Sequence, residues 1–276
     1  MLQEIKSRFE KAVLLDKQGE KNEATWLYRS IINDHKIKHK GIYFYKAYSM
    51  FNLGNIYANC KEHEASKKIH RQLIEIFQKD ENIDIKLIVA KTMSNLALNA
   101  AKTNEWQDST KIKEKLVEDY QNIKNIDMKN IVLDNIDILC TEYIDTGDIK
   151  QVMVCSSWLI NTIKDCADEK LQVKSVKTFY ITATLLRRRN CTAEAIFINE
   201  KIVKIFKNST NKTILEKTAK AMRDLILLYN STKKYDKKNK TYNEFLIRFG
   251  ESENRIIKIV AQKLKKYIKD NKKITN

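Results

Sequence analysis

Few side chains in this sequence stand at spacings that carry chemistry. His35 and His39 are four residues apart and would share one face of a helix, where they could hold a metal ion; His63 beside Glu64 offers a second donor pair. Neither pair has further ligands close by, so solvated helix-end histidines are the expectation, and no metal or other cofactor is indicated. Glu142 and Asp145 stand three apart, which would let two carboxylates share acid–base work but is equally the spacing of ordinary charges on a helix surface. Cys60, Cys140, Cys155, Cys166 and Cys191 form no close pair and read as buried reduced thiols, with Cys140 and Cys191 at positions where small apolar residues pack. Arg187, Arg188 and Arg189 form the sharpest basic cluster, placed to complement the carbonyl end of a helix or to bind phosphate. No Gly-rich phosphate loop, nucleophile elbow or paired-cysteine motif accompanies them, and no strand is predicted on which to mount one. The chain is not expected to be an enzyme.

The elements that must position these residues are helices. Pro is absent from the 276 residues and Gly occurs five times, so the punctuation of hairpins and flexible linkers is missing. With 43% hydrophobic residues the chain can bury a substantial core. Its N-terminus is charged throughout, and no stretch approaches the roughly 18 apolar residues of a membrane span, so a cytoplasmic protein is expected. The net charge of +17 is unevenly placed: residues 231–276 hold fourteen Lys or Arg against five Asp or Glu. More than half of the positive excess therefore lies in the last 46 residues.

A single template repeats along the chain. A large or apolar anchor falls at Leu15, Tyr57, Ala100, Tyr143, Leu186 and Tyr229, at intervals of 42 and then 43 residues. Four positions after each anchor comes a turn residue, Gly19, Lys61, Asn104, Gly147, Asn190 and Lys233, a series rich in the two types that tolerate positive φ at a helix C-terminus. Nine positions after it comes Ala24, Ser66, Ser109, Val152, Ala195 or Lys238, mostly small side chains that let a second helix approach the first. Apolar residues on both sides of the turn recur with helical spacing, as in Phe51, Leu53, Ile56 and Tyr57 before it and Ile69, Leu73, Ile76 and Phe77 after it. Each unit therefore reads as a helix hairpin with arms of about 17 to 19 residues. The polar segments "KDENID", "IKNIDM" and "KNSTNK" fall between units.

At these positions the chain resembles the tetratricopeptide-repeat family. Leu53, Gly54, Tyr57 and Ala65 in "LGNIYANCKEHEASKKI" follow that family's first-helix and turn signature. Leu139, Tyr143, Gly147 and Val152 follow it in "LCTEYIDTGDIKQV", and Gly19, Ala24, Tyr28 and Ile31 in "KAVLLDKQGEKNEATWLYRSII". The unit here is 43 residues long where the family standard is about 34, and the Pro that usually closes a unit is missing. Long-helix variants of this kind are similar to bacterial regulators that sense peptides; HEAT-like repeats, with a similar period, are the alternative at the level of fold. The resemblance implies an all-α, right-handed solenoid of six hairpins over residues 1–250. Residues 251–276 would form a basic amphipathic capping helix and tail, with Ile256, Ile257, Val260, Leu264, Tyr267 and Ile268 on its apolar face.

In such a solenoid the first helices line the concave side, and a partner segment or extended peptide would lie along them. The inward positions are Tyr48, Phe51, Asn52 and Asn55 in unit two, Lys91, Ser94, Asn95 and Leu98 in unit three, and Asp134, Asp137 and Thr141 in unit four. Unit five contributes Lys177, Tyr180, Thr184 and Arg187, and unit six Lys220, Arg223 and Asp224. Asn carries both a donor and an acceptor, which suits a peptide backbone, while Tyr48, Phe51 and Tyr180 would seat apolar side chains. Family members that clamp a chaperone's C-terminal carboxylate need Lys at places held here by Phe51, Asp134 and Ile138. Although Asn55 and Asn95 match the Asn places, a chaperone-tail adaptor is not expected. The partner is thus expected to be another protein or a peptide, acted on by a scaffold or regulator. The alternative is nucleic acid held by the basic C-terminal third. An open stack also leaves apolar ends on which a second copy of the chain could dock.

Overall fold

The computed structural model describes residues 2–34 and 40–272, and His35 and His39 lie outside them. Where a loop closes on Asn or Asp, a long helix begins. Asn82, Asn125, Asp168, Asn211 and Asn254 precede α5 (Ile83–Lys102), α7 (Ile126–Thr146), α9 (Glu169–Arg188), α11 (Lys212–Ser231) and α13 (Arg255–Lys272). In each case the capping side-chain oxygen accepts a backbone N–H of the first turn, from Asp84, Met128, Leu171, Ile214 and Ile256, at 2.8–3.1 Å. Each cap satisfies a donor that the helix cannot pair internally and contributes about 1 kcal/mol. The first two long helices are α1 (Leu2–Gln18) and α3 (Lys40–Asn59).

Each of the first six long helices ends in the same way. Gly19, Lys61, Asn104, Gly147, Asn190 and Lys233 adopt positive φ, between 58° and 87°. The next residue's N–H donates back to the carbonyls of Leu15, Tyr57, Ala100, Tyr143, Leu186 and Tyr229 at 2.8–3.0 Å. This is the six-to-one bond of a Schellman motif, so each sequence anchor accepts the bond that stops its helix. The chain then reverses into a shorter helix: α2 (Lys21–Ile32), α4 (His63–Phe77), α6 (Trp106–Tyr120), α8 (Ile149–Ile163), α10 (Thr192–Ile205) and α12 (Tyr235–Phe249). Ala24, Ser66, Ser109, Val152 and Ala195 are buried where the two arms meet.

The arms are unequal, which corrects the expected near-equal lengths. First helices run 17–21 residues and second helices 12–15. The expectation divided each unit evenly, but the segments between hairpins open with several residues before their Asx cap, and all of these come from the second arm. Asn82 and Asn211 lie inside "KDENID" and "KNSTNK", so the last residues of these polar runs already belong to the following helix. The architecture among the described residues is therefore all-α, in tandem tetratricopeptide-like hairpins followed by α13.

By its packing the chain divides into two units, 1–135 and 136–276, with the division inside α7. In the first unit α1 packs on α2 and α3, α3 on α4 and α5, and α5 on α6. Its hairpin junctions are partly polar. Ser66 donates to the Gly54 carbonyl at 2.7 Å and accepts from the Asn99 amide at 2.8 Å, so this buried hydroxyl is satisfied twice. Lys67 on α4 is buried, and its ammonium is held by Glu64 at 2.6 Å, by Thr103 at 3.2 Å and by Glu105, which ties hairpin two to the turn of hairpin three. Gly54 is required for close approach: a Cβ there would lie 2.2 Å from the His70 imidazole.

In the second unit α9 packs on α10 and α11, and α11 on α12 and α13. Ile257, Val260 and Leu264 of α13 bury against Ala219, Met222, Ile226, Phe245 and Phe249, each contributing on the order of 2 kcal/mol by leaving water. Ile268 is partly buried beside them and Tyr267 accepts from Asn230, but Ile256, expected on the same face, is 38% exposed. At 100° per residue it falls one step beyond the stripe occupied by Ile257 and Val260. The expectation of buried thiols holds for Cys140 and Cys155 only: Cys60 is exposed, one residue before the left-handed Lys61, and Cys166 and Cys191 are partly exposed at the turns.

Candidate functional site

In the first unit the expected residues of α3 and α5 divide into two groups. Asn55 and Asn95 come together: the Asn95 amide donates to the Asn55 carbonyl oxygen at 2.7 Å, across 40 residues of chain. Both are half-buried, and the bond leaves each with hydrogen-bonding capacity, two N–H groups on Asn55 and an oxygen and one N–H on Asn95. Lys91 and Leu98 on α5 are exposed, Leu98 at 55%. Ser94 accepts from Asn135 at 2.9 Å, which links α5 to α7, and Asp134 beside Asn135 is exposed.

The other α3 residues serve packing. Asn52 donates to the Tyr28 hydroxyl at 3.0 Å, so its amide is turned toward α2. Phe51 lies against His70 of α4, ring centres 6.5 Å apart. Tyr48 is half-buried in an aromatic group with Phe44 at 4.6 Å and Phe9 at 6.2 Å. Burial, helped by the charge of Asp84, pushes its phenol above the usual range. His70 itself has no exposed surface, and burial pushes its pKa down to about 4 against a small opposing effect of the Phe51 carbonyl. It is therefore a neutral core histidine.

In the second unit a charged array is built on the neighbouring first helices α9 and α11. Asp224 is buried at 2% exposure, yet Arg223 donates to it through Nε at 2.9 Å and Nη2 at 2.6 Å. Arg187 Nη1 lies 3.8 Å from the same carboxylate oxygen, and the Tyr180 hydroxyl donates to the other at 3.4 Å. One buried carboxylate thus orients two guanidiniums and a phenol. The Lys217 ammonium sits 4.8 Å from the centre of the Tyr180 ring, a cation–π contact. Burial lowers the Lys217 pKa, and repulsion from Lys220 and Lys177 lowers it further against the attraction of Glu216. Thr184 donates to the Tyr180 carbonyl at 2.8 Å, within its own helix. Asp137 accepts from Thr178 at 2.8 Å, and the Thr141 hydroxyl donates to the Asp137 carbonyl at 3.1 Å.

Lys217 was not among the residues expected from the sequence, although it stands three positions before Lys220 and so on the same helical face. Among the described residues no three His, Cys, Asp or Glu side chains are grouped to hold a metal ion, and no helix is long and apolar enough to cross a membrane.

No protein-family model matches the chain, and no curated protein does. Solved structures similar to it include the apo form of RapI, at 16% identity, with 97% of this chain and 99% of that one covered and a TM-score of 0.49. BtubC from P. vanneervenii is similar at 9% identity over 88% of this chain and 90% of that one, with a TM-score of 0.46. A tetratricopeptide repeat protein from Parabacteroides merdae is similar at 11% identity over 95% and 99%, with a TM-score of 0.42. The tetratricopeptide-like character of this chain is carried by its own hairpins, the repeated Schellman turn followed by a small buried residue.

Proposed function

We propose that this chain is a non-catalytic binding scaffold that recognises a segment of another protein, or a peptide, in a groove lined by its first helices. The observation that carries this reading is the Asn55–Asn95 pair. Two amides on neighbouring helices fix each other's orientation and keep unused donors and acceptors at a partly open surface, which is the arrangement that reads an extended backbone without a sequence-specific pocket. Exposed Lys91 and Leu98 on α5 would flank such a segment. A scaffold of this kind regulates its partner by occupying that segment.

Selection of peptides from a random display library on the immobilised full chain, followed by calorimetry, tests the reading. A selected peptide should lose about tenfold or more in affinity for an Asn55→Ala/Asn95→Ala variant, the equivalent of one or two lost hydrogen bonds. Both replacements raise helix propensity, so folding is expected to survive. Failure to enrich any peptide, or equal affinity for the variant, would overturn the assignment.

A further inference from the structure

We infer that the face formed by Lys177, Arg187, Lys217, Lys220 and Arg223 on α9 and α11 binds an acidic peptide segment, with clustered Asp or Glu carboxylates as the recognised groups. This deepens the scaffold reading and rests on it. Arg223 and Arg187 meet one buried carboxylate, Asp224, which neutralises only one of them, and Lys217 lies over the ring of Tyr180, whose hydroxyl donates to the same carboxylate. Glu216, next to Lys217 in the chain, accepts from Asn254 at 2.9 Å at the start of α13 and supplies Lys217 with one further counter-charge. Asp224 and Glu216 offset only part of the charge of the five cations named here, and like charges held together are relieved by an anion from outside.

The array is also pre-organised for that anion. Asp224 holds Arg223 through two donors and orients Arg187 and Tyr180, while the Tyr180 ring supports Lys217, so little side-chain freedom remains to be lost on binding. The half-buried setting of Lys217 and Arg223 weakens solvent screening and strengthens the attraction.

A peptide fits better than a nucleic acid. Lys217 covers one face of the Tyr180 ring, so that face is not available for a base to stack on. Residues 217 to 223 span roughly 9 Å of helix, which suits two or three neighbouring carboxylates rather than a long phosphate track. Asp137, bonded to Thr178 beside Lys177, would repel a polyanion that continued toward α7.

The test is fluorescence anisotropy of a labelled oligo-glutamate with the full chain, at about 50 mM salt where screening is weak. A Lys177→Gln/Lys217→Gln/Lys220→Gln variant is compared with Lys258→Gln/Lys263→Gln/Lys265→Gln, which removes equal charge from α13. The first should weaken binding about tenfold or more and the second less than about threefold. No binding of oligo-glutamate, equal loss in both variants, or oligo-thymidylate displacing the probe more strongly than unlabelled oligo-glutamate would each overturn the inference. The scaffold reading would survive any of these if a display-selected peptide still bound through Asn55 and Asn95, so the two failures separate.

Discussion

Acidification should destabilise this protein through one buried side chain. His70 has no exposed surface and packs against Gly54 and Phe51, with no charged group stabilising its protonated form. In the unfolded chain its imidazole takes a proton near its ordinary value of 6.5, whereas in the fold burial delays protonation to about 4. Between these values the unfolded state binds a proton that the folded state refuses. Stability is therefore full above about pH 6.5, falls as the pH drops toward 4, and changes no further on account of this residue below that, a total loss on the order of 3 kcal/mol. Urea unfolding followed by far-UV circular dichroism, repeated from about pH 7.5 to 4.5, measures the loss. A His70→Leu variant, which keeps an apolar side chain and cannot titrate there, removes the contribution of the carboxylates when its curve is subtracted. A difference curve that stays flat across this range would refute the argument, because a histidine so placed cannot be neutral in the fold and yet cost nothing to protonate.

Two further outcomes follow from the turns and junctions. Gly54→Ala should destabilise the first unit by about 1–3 kcal/mol, since the new Cβ would overlap the His70 ring, and in a His70→Ala background most of that cost should vanish. A double-mutant cycle by denaturant unfolding gives the coupling, and additive effects would exclude the contact as its cause. Lys233→Gly should stabilise by about 1 kcal/mol, because Lys233 holds φ at 58° where a Cβ is strained; the reverse sign in a thermal melt would show that its side chain contributes more than the strain costs.

The turns were legible in the sequence because their demands are local. A left-handed residue four positions after an anchor, with a small residue five positions further on, needs only a few neighbouring side chains to be recognised, and Gly19, Asn104, Gly147 and Asn190 announce it. Lys61 and Lys233 are legible only by register with them. The ends of the second helices were less visible, since α4, α6 and α12 stop at Phe77, Tyr120 and Phe249 with no Pro to mark the place. In the candidate site, Asn55 and Asn95 could each be chosen from the template, but their bond spans 40 residues and depends on how closely α3 and α5 approach. Asn52 and Phe51 show the same limit from the other side: one helical step decides whether a side chain meets solvent or the neighbouring second helix. Arg223 and Asp224 were legible as residues, but not the burial of Asp224 that makes it the organiser of the array.

Lys67 gives the first unit a built-in chemical clock. Its side chain is 2% exposed and its ammonium is held by Glu64, Glu105 and Thr103, so an acylating reagent that consumes surface amines such as that of Lys68 cannot reach it while α4 and the turn after α5 stay together. Its modification must wait for that junction to part, and at low reagent concentration the labelling rate follows the fraction of molecules that are open. Peptide mapping after timed acylation would then read the opening of a single hairpin boundary inside the intact protein, with no probe added to the chain.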